Sequence, residues 1–287
     1  MPREWDESAI SHDYAEVEGA RIHYVEAGEG PLVLLVHGFP EYWYSWRHQI
    51  LPLADAGFRV VAPDMRGTNL SSGPSEVEAY REEVLGRDLA QLIEALGAKS
   101  ASVAGHDWGG WAGYWAAMHH SARIDRLAVL NVPHPVVFAR ARLRLYYKAI
   151  RALLIVPGLY ETPFAPLSMR STFRRELVKR GSMSDADLDR FIEVWKPPSR
   201  RPSAKPYRAQ HRHWREPIEG RCRPISCPTL VIYGTEDPYM GPEFAKPPSE
   251  WVPDARVALI PGANHRVQMD RPREVTELLE AFLDPQG

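Results

Sequence analysis

Six residues limit what this chain can fold into more than any others: Gly105-His106-Asp107-Trp108-Gly109-Gly110, set between the apolar run Ser102-Val103-Ala104 and the amphipathic stretch 111–119. A small residue two positions before and two after a central side chain is what a sharp strand-to-helix turn requires, because a Cβ at either flank would collide with neighbouring backbone. The central residue is then held out over a sheet edge. A serine there would have to lose a proton before attacking a carbonyl, whereas a carboxylate is already ionised and can displace a leaving group from saturated carbon. The product would be an alkyl ester of Asp107. A helix starting at Trp108 would also present its free N–H groups and positive dipole end to that carboxylate, favouring the charged form. A plainer role competes, since Asp is a preferred helix N-cap. The hexapeptide does not choose between the two.

Composition narrows the classes. At 287 residues the chain can bury a full core, as one large α/β unit or two small domains. Hydrophobic residues at 44% and charged residues at 25% are ordinary for a globular protein, and a net charge of -2 gives no reason to expect nucleic acid as a partner. The start, Met1-Pro2-Arg3-Glu4-Trp5-Asp6-Glu7, is charged and has no apolar core, so a secretory signal is not expected. No apolar run reaches the roughly 20 residues that span a bilayer, so no membrane partner is expected and the reading is a cytoplasmic protein, monomer or homodimer. Cys222 and Cys227, both beside prolines, have no neighbouring His pairs and are expected to be free structural thiols, with neither metal nor cofactor.

Along the chain, residues 14–17 and 21–25 alternate as a hairpin does, around Glu18-Gly19-Ala20. Leu32-Val33-Leu34-Leu35-Val36 is an unbroken apolar run, as expected of a central parallel strand buried on both faces. It ends in His37-Gly38-Phe39-Pro40. A helix over 44–56 stops at Gly57, and a strand at 58–62 closes on Asp64-Met65-Arg66-Gly67. Residues 82–96 carry Val84, Leu85, Leu89, Leu92, Ile93 and Leu96 at helical spacing. Strands at 100–104 and 127–130 flank the Asp107 turn and its helix. This alternation argues for a mostly parallel sheet covered on both faces.

From Pro133 to Arg223 arginine and proline crowd the sequence, and the periodic stretches 143–156, 172–179 and 185–195 read as helices with no strand between them. Residues 229–233 and 256–260 resume the buried-strand pattern, and 273–283 adds a last amphipathic helix. The chain therefore reads as one α/β core, residues 1–132 and 224–287, interrupted by a helical lid over 133–223. Residues 197–202, Pro-Pro-Ser-Arg-Arg-Pro, are a loop by composition.

An ester on Asp107 needs a second group to remove it, and histidine is the usual base because its ordinary pKa lies near working pH. The candidate is His265 in Gly262-Ala263-Asn264-His265, just past the last strand; His119, His120, His211 and His213 read as surface or lid residues. Asp237, after Gly234-Thr235-Glu236, ends the preceding strand and can orient the base. The order Asp107, Asp237, His265 is that of nucleophile, acid and base in a sheet of this kind. Asp237 could by itself be a turn residue before Pro238, but three such residues at three strand ends make coincidence a poor account. The oxyanion formed when water attacks the ester needs donors placed in advance, and the backbone N–H groups of Trp108 and Phe39 are the candidates.

With these residues assembled, the sequence resembles the α/β-hydrolase-fold epoxide hydrolases. The resemblance is carried by His37-Gly38-Phe39-Pro40-Glu41, Trp46-Arg47-His48-Gln49, Ala62-Pro63-Asp64-Met65-Arg66-Gly67, Gly105-His106-Asp107-Trp108-Gly109, and His265 followed by Gln268-Met269-Asp270-Arg271-Pro272. It implies that fold, a small hydrophobic epoxide as substrate, and a pair of lid tyrosines that donate to the epoxide oxygen. Tyr207, seven residues before Trp214, matches the second tyrosine. The family's usual place for the first falls on Ile150, with Tyr146 and Tyr147 about one turn earlier: either the helix register differs and Tyr147 serves, or the enzyme works with one phenol and some other donor. After Arg66-Gly67 the chain has Thr68-Asn69-Leu70 where the family commonly has an aromatic residue and Gly, a change expected to reshape the pocket wall.

Haloalkane dehalogenases resemble the chain almost as well and share the ester intermediate. Halide leaves unprotonated, whereas an alkoxide needs an acid. A phenol such as Tyr207 can supply that proton and an indole such as Trp108 cannot. Phe39 stands where many dehalogenases carry an amide, and fluoroacetate dehalogenases usually have arginine where Trp108 stands. A non-catalytic ligand-binding protein of the same fold is the reading from another class, disfavoured because Asp107, Asp237 and His265 are all kept.

Overall fold

A computed structural model of the protein describes residues 5–141, 144–162, 164–213 and 216–284; Leu143, Trp214 and the Tyr146 side chain, considered above, lie outside the described residues. Eight strands form one sheet: β1 (Ser11–Val17), β2 (Ala20–Ala27), β3 (Leu32–Val36), β4 (Arg59–Pro63), β5 (Ala101–His106), β6 (Ile124–Leu130), β7 (Thr229–Gly234) and β8 (Ala255–Ile260), in the order β1-β2-β4-β3-β5-β6-β7-β8. Only β2 runs antiparallel to its neighbours. The fold is the α/β-hydrolase fold, as the resemblance implied.

The apolar run of β3 explains its central place. Leu32, Leu34 and Val36 enter one hydrophobic cluster and Val33 and Leu35 the other, so the strand feeds a core on each face of the sheet. Helix Trp108–His119 differs from its sequence reading: it is not amphipathic, for every residue from Trp108 to Met118 is buried. Helix Glu82–Ala95 covers it closely, and a Cβ at Gly86 would stand 2.8 Å from the Trp115 Cβ. The strand at 256–260 also differs. It is the outer strand β8, with Val257 and Leu259 exposed, so its apolar sequence does not report burial on both faces.

Register decides what meets at the sheet's edge. Val36 pairs with Gly105, His106 with Leu130, and Leu130 with Ile232. The residues that follow β3, β5, β6 and β7 therefore leave the sheet side by side. From β3 the chain goes to β4 on one side and later returns to β5 on the other, which makes the β3/β5 boundary a switch point where open α/β sheets place their ligand crevice.

Between β6 and β7 the described residues contain helices and no strand: Pro135–Arg140, Leu145–Ile155, Ala165–Glu176, Asp185–Trp195, Lys205–Arg212 and Ile218–Arg221. The third starts seven residues ahead of the periodic stretch 172–179, because Pro166 is at home in a first helical turn. Asp185–Trp195 begins where Ser184 and Asp187 form a capping box. This insertion is fastened to the core by Trp195 Nε1 donating to Pro40 O (2.8 Å) and by Tyr44 Oη donating to Asp187 (2.7 Å). Cys222 and Cys227 are both free thiols. No helix among the described residues is long and apolar enough to cross a membrane.

Candidate active site

Asp107 sits at φ 50°, ψ −118°, a left-handed conformation that side chains rarely adopt. The flanking glycines make it possible. A Cβ at Gly105 would lie 2.4 Å from Gly109 O, and one at Gly109 would lie 2.2 Å from Val36 O. Sheet and helix thus approach too closely for any other residue, as the hexapeptide implied. The carboxylate does not cap its helix. Phe39 N–H donates to Asp107 Oδ1 at 2.9 Å from the turn after β3, and Gly38 permits that approach, since a Cβ there would stand 2.5 Å from the Asp107 Cβ. The capping role is thereby removed as an account of Asp107. Trp108 follows at the helix's first position.

His265 Nε2 lies 3.7 Å from Asp107 Oδ2, and its Nδ1–H donates to Asp237 Oδ2 at 2.7 Å. Asp237 is fully engaged: Oδ1 accepts from the N–H groups of Tyr239 (2.8 Å) and Met240 (3.0 Å), and Oδ2 also accepts from Asn131 Nδ2 (2.8 Å). The three residues expected from sequence therefore meet in one place. Burial would raise the Asp107 carboxyl, but hydrogen bonding and attraction to His265 hold it below its ordinary value. Burial alone would lower His265; Asp237 and Asp107 outweigh it and push the imidazole up to about 10.

That shift has a chemical consequence. Two carboxylates hold the proton on His265, so neutralising Asp107 would remove one of those charges and release the imidazole toward its ordinary value of about 6.5. Asp107→Asn, which removes that charge and keeps the side chain's shape, should move the His265 midpoint down in an NMR titration. Linkage gives a second readout. The folded state holds this proton more tightly than the unfolded chain, so its stabilisation is complete below about pH 6.5 and is lost as pH rises toward 10. Denaturation at pH 6 and pH 9 should show that loss in the wild type and less of it in Asp107→Asn.

A cavity of about 290 Å³ opens in front of Asp107, walled by the insertion. Tyr207 is buried in its wall with its ring edge-on to Phe39 (5.2 Å) and Trp108 (5.0 Å). Tyr147 and Ile150, one turn apart on helix Leu145–Ile155, both reach the same wall. Burial first, then the Asp107 charge, raises both phenols, so each keeps its proton at neutral pH. Thr68, Asn69 and Leu70 do not line this cavity, contrary to expectation. Asn69 instead donates to Asp64 Oδ2 (2.8 Å) through its side chain and to Arg200 O (2.8 Å) through its backbone.

Residues 31–272 match the family model of the alpha/beta hydrolase fold. The chain is 33% identical to epoxide hydrolase 2 of Caenorhabditis elegans, over 96% of this chain and 80% of that protein. The chain belongs to the α/β-hydrolase-fold epoxide hydrolase family. It is also 32% identical to bifunctional epoxide hydrolase 2 of Sus scrofa over 99% of its own length, and spans 57% of that longer protein. Among solved structures it resembles epoxide hydrolase A from Mycobacterium thermoresistibile (TM-score 0.82, 32% identity, 96% of this chain and 98% of that one). Potato epoxide hydrolase I is similar (TM-score 0.81, 26% identity, 96% and 99% covered).

In this epoxide hydrolase family member several site residues escape sequence reasoning. Asn131, at φ 49° directly after β6, bridges Asp237 and Gly234 N–H (3.2 Å). Its signal was the same as that of Asp107: a polar residue at the end of a buried strand. His37 Nε2 accepts from Met65 N–H (2.9 Å), so its Nδ1–H donates to Gly38 O (2.8 Å) and steadies the Phe39 turn. Behind His265 lies a buried polar group with no local signature. His106 Nε2 holds His265 O (3.0 Å) and its Nδ1 meets Glu41 (3.1 Å). Arg266 joins Glu41 (3.2 Å) to Glu176 of the insertion, and Tyr239, whose ring lies 4.8 Å from the His265 ring, donates to Glu176 (2.6 Å). Despite burial, His106 and Arg266 draw the Glu41 carboxyl down to about 2.

Proposed function

We propose that the chain hydrolyses small apolar epoxides to vicinal diols through an ester on Asp107. In the first step Asp107 Oδ2 attacks an oxirane carbon, the C–O bond breaks, and a phenol hydrogen of Tyr207 or Tyr147 passes to the departing oxygen. Asp107 Oδ1 keeps its Phe39 N–H and becomes the ester carbonyl. Freed of one carboxylate, His265 gives up its proton, which restores the phenol, and in the second step the neutral imidazole takes a proton from water as that water adds to the ester carbon. Phe39 and Trp108 N–H stabilise the oxyanion. The bond from the carboxyl carbon to Oδ2 then breaks, Oδ2 leaves in the diol with the proton from His265, and the regenerated Asp107 acid returns its own proton to the imidazole. The helical insertion acts as the lid that walls off the reaction.

One observation carries the choice of reaction: of the four tyrosines that line the cavity with the carboxylate, Tyr239 gives its hydroxyl to Glu176 and Tyr160 to Met169 Sδ, which leaves the phenols of Tyr147 and Tyr207 for a substrate. Alkoxide is a strongly basic leaving group and needs an acid, whereas halide needs only N–H donors. A haloalkane reaction leaves Tyr147 and Tyr207 without a task. The test is a single turnover of enzyme in excess over an aryl epoxide in heavy-oxygen water. The first diol should be unlabelled, with the label recovered in Asp107; a labelled first diol would overturn the ester route. The Tyr147→Phe/Tyr207→Phe variant should lose about 10²-fold or more of epoxide turnover.

A further inference from the structure

Helix Leu145–Ile155 is apolar on both faces. Tyr147, Ile150 and Leu154 line the cavity, while Leu145, Ala149 and Ala152 are exposed and outside its lining, continued by Val156. Exposed apolar side chains, here broken only by Lys148 and Arg151, ordinarily gather on a helix that has something to cover them. The run continues past the helix, with Phe164 72% and Leu167 65% exposed. Of nine large hydrophobic side chains exposed among the described residues, six fall within 145–167, which is the concentration that marks an interaction surface rather than scattered surface residues. Leu153, Leu159 and Phe164 are both exposed and part of the cavity wall, which puts them at its mouth.

Charge identifies the occupant. Residues 133–223 carry 20 Lys and Arg against 8 Asp and Glu, a net +12, and the rest of the chain is -14. Part of this surplus fastens the insertion down, with Arg144, Arg180, Arg190, Arg212 and Arg221 pairing with core carboxylates. More cations remain than those contacts use. Lys148 stands on the exposed apolar face of the helix and has no carboxylate partner among the described residues. Apolar side chains framed by positive charge suit an anionic lipid surface, where buried apolar area and attraction to headgroups add. A second copy fits less well, because a two-fold contact would set two positively charged faces against each other.

We propose that this face of the insertion docks on anionic phospholipid bilayers and seats the cavity mouth at the lipid–water boundary, where apolar small molecules concentrate. The expectation of no membrane partner rested on spanning length alone, and this contact spans nothing. It is independent of the reaction proposed above, so binding is read without turnover. The whole chain is sedimented with vesicles of phosphatidylcholine alone or mixed with phosphatidylglycerol. Binding should favour the mixed vesicles at least tenfold, and should fall by a similar factor in about 1 M salt, where the screening length is about 3 Å.

The variant Leu145→Ser/Val156→Ser/Leu167→Ser, which touches no cavity-lining residue, should lower partitioning about tenfold or more with an unchanged melting temperature. Should that variant fail to fold, Lys148→Glu provides the same test through charge and should weaken binding to mixed vesicles only. Absence of binding to anionic vesicles, or undiminished binding by these variants, overturns the proposal. So does sedimentation equilibrium that shows a dimer which the serine variant dissociates, for the face would then belong to self-association.

Discussion

Replacing His265 by Gln should stop turnover while leaving the first chemical step in place. In the proposed mechanism, nucleophilic attack would use Asp107, which Phe39 N–H still holds, and the phenols of the insertion; neither depends on a base. Hydrolysis of the ester does. The steady-state rate should therefore fall about 10³–10⁴-fold, the upper range for loss of a general base, while a single-turnover mixture still consumes one epoxide per enzyme. Intact-mass analysis should then find the protein heavier by the mass of one substrate, with the addition mapped to the peptide holding Asp107. An enzyme that is inactive but carries no added mass would remove the ester from the mechanism. In Asp107→Ala neither the burst nor the added mass should occur, and this pair of variants separates a failed second step from a damaged site.

The second large effect concerns stability. Arg266 is buried between Glu41 and Glu176, which lie on the core and on the insertion, and all three are out of water. Arg266→Met should strip the two buried carboxylates of the charge they share; among the described residues Glu41 would keep only His106, and Glu176 only the exposed Arg175, as a basic partner in reach. The expected loss is about 3–5 kcal/mol. At the 2–4 °C per kcal/mol usual for chains somewhat shorter than this one, that is a fall of roughly 10 °C in melting temperature. Adding Glu176→Gln to Arg266→Met should recover part of the loss, because one of the stranded charges is removed. Calorimetry of the single and double variants checks both signs. A single variant as stable as the wild type would mean that the triad does not hold the insertion to the core.

Much of this protein was legible residue by residue. The strand Leu32–Val36 and the helix Asp185–Trp195 fall where their patterns put them, because an apolar run and a helical period are local signals. The turn at Asp107 was equally clear, since close backbone approach leaves room only for glycine at 105 and 109. What misled were patterns that report hydrophobicity and not position. An outer strand such as β8 can be as apolar as an inner one, and the helix after Asp107 is buried on every side whatever its periodicity suggests.

The sequence by itself determined the chemistry that was available: a carboxylate at a glycine-flanked turn, an imidazole and a second carboxylate at two later strand ends. Only the tertiary structure decided which groups meet. Asp107 and Asp237 are 130 positions apart, and it is the parallel register of β5, β6 and β7 that brings their loops together over one edge. The helix register that turns Tyr147 and Ile150 into one wall, the engagement of Asn131, and the burial of Arg266 between two glutamates follow from packing across elements distant in sequence. No local pattern encodes such contacts, because each side chain's partner is chosen by where the backbone has already been placed.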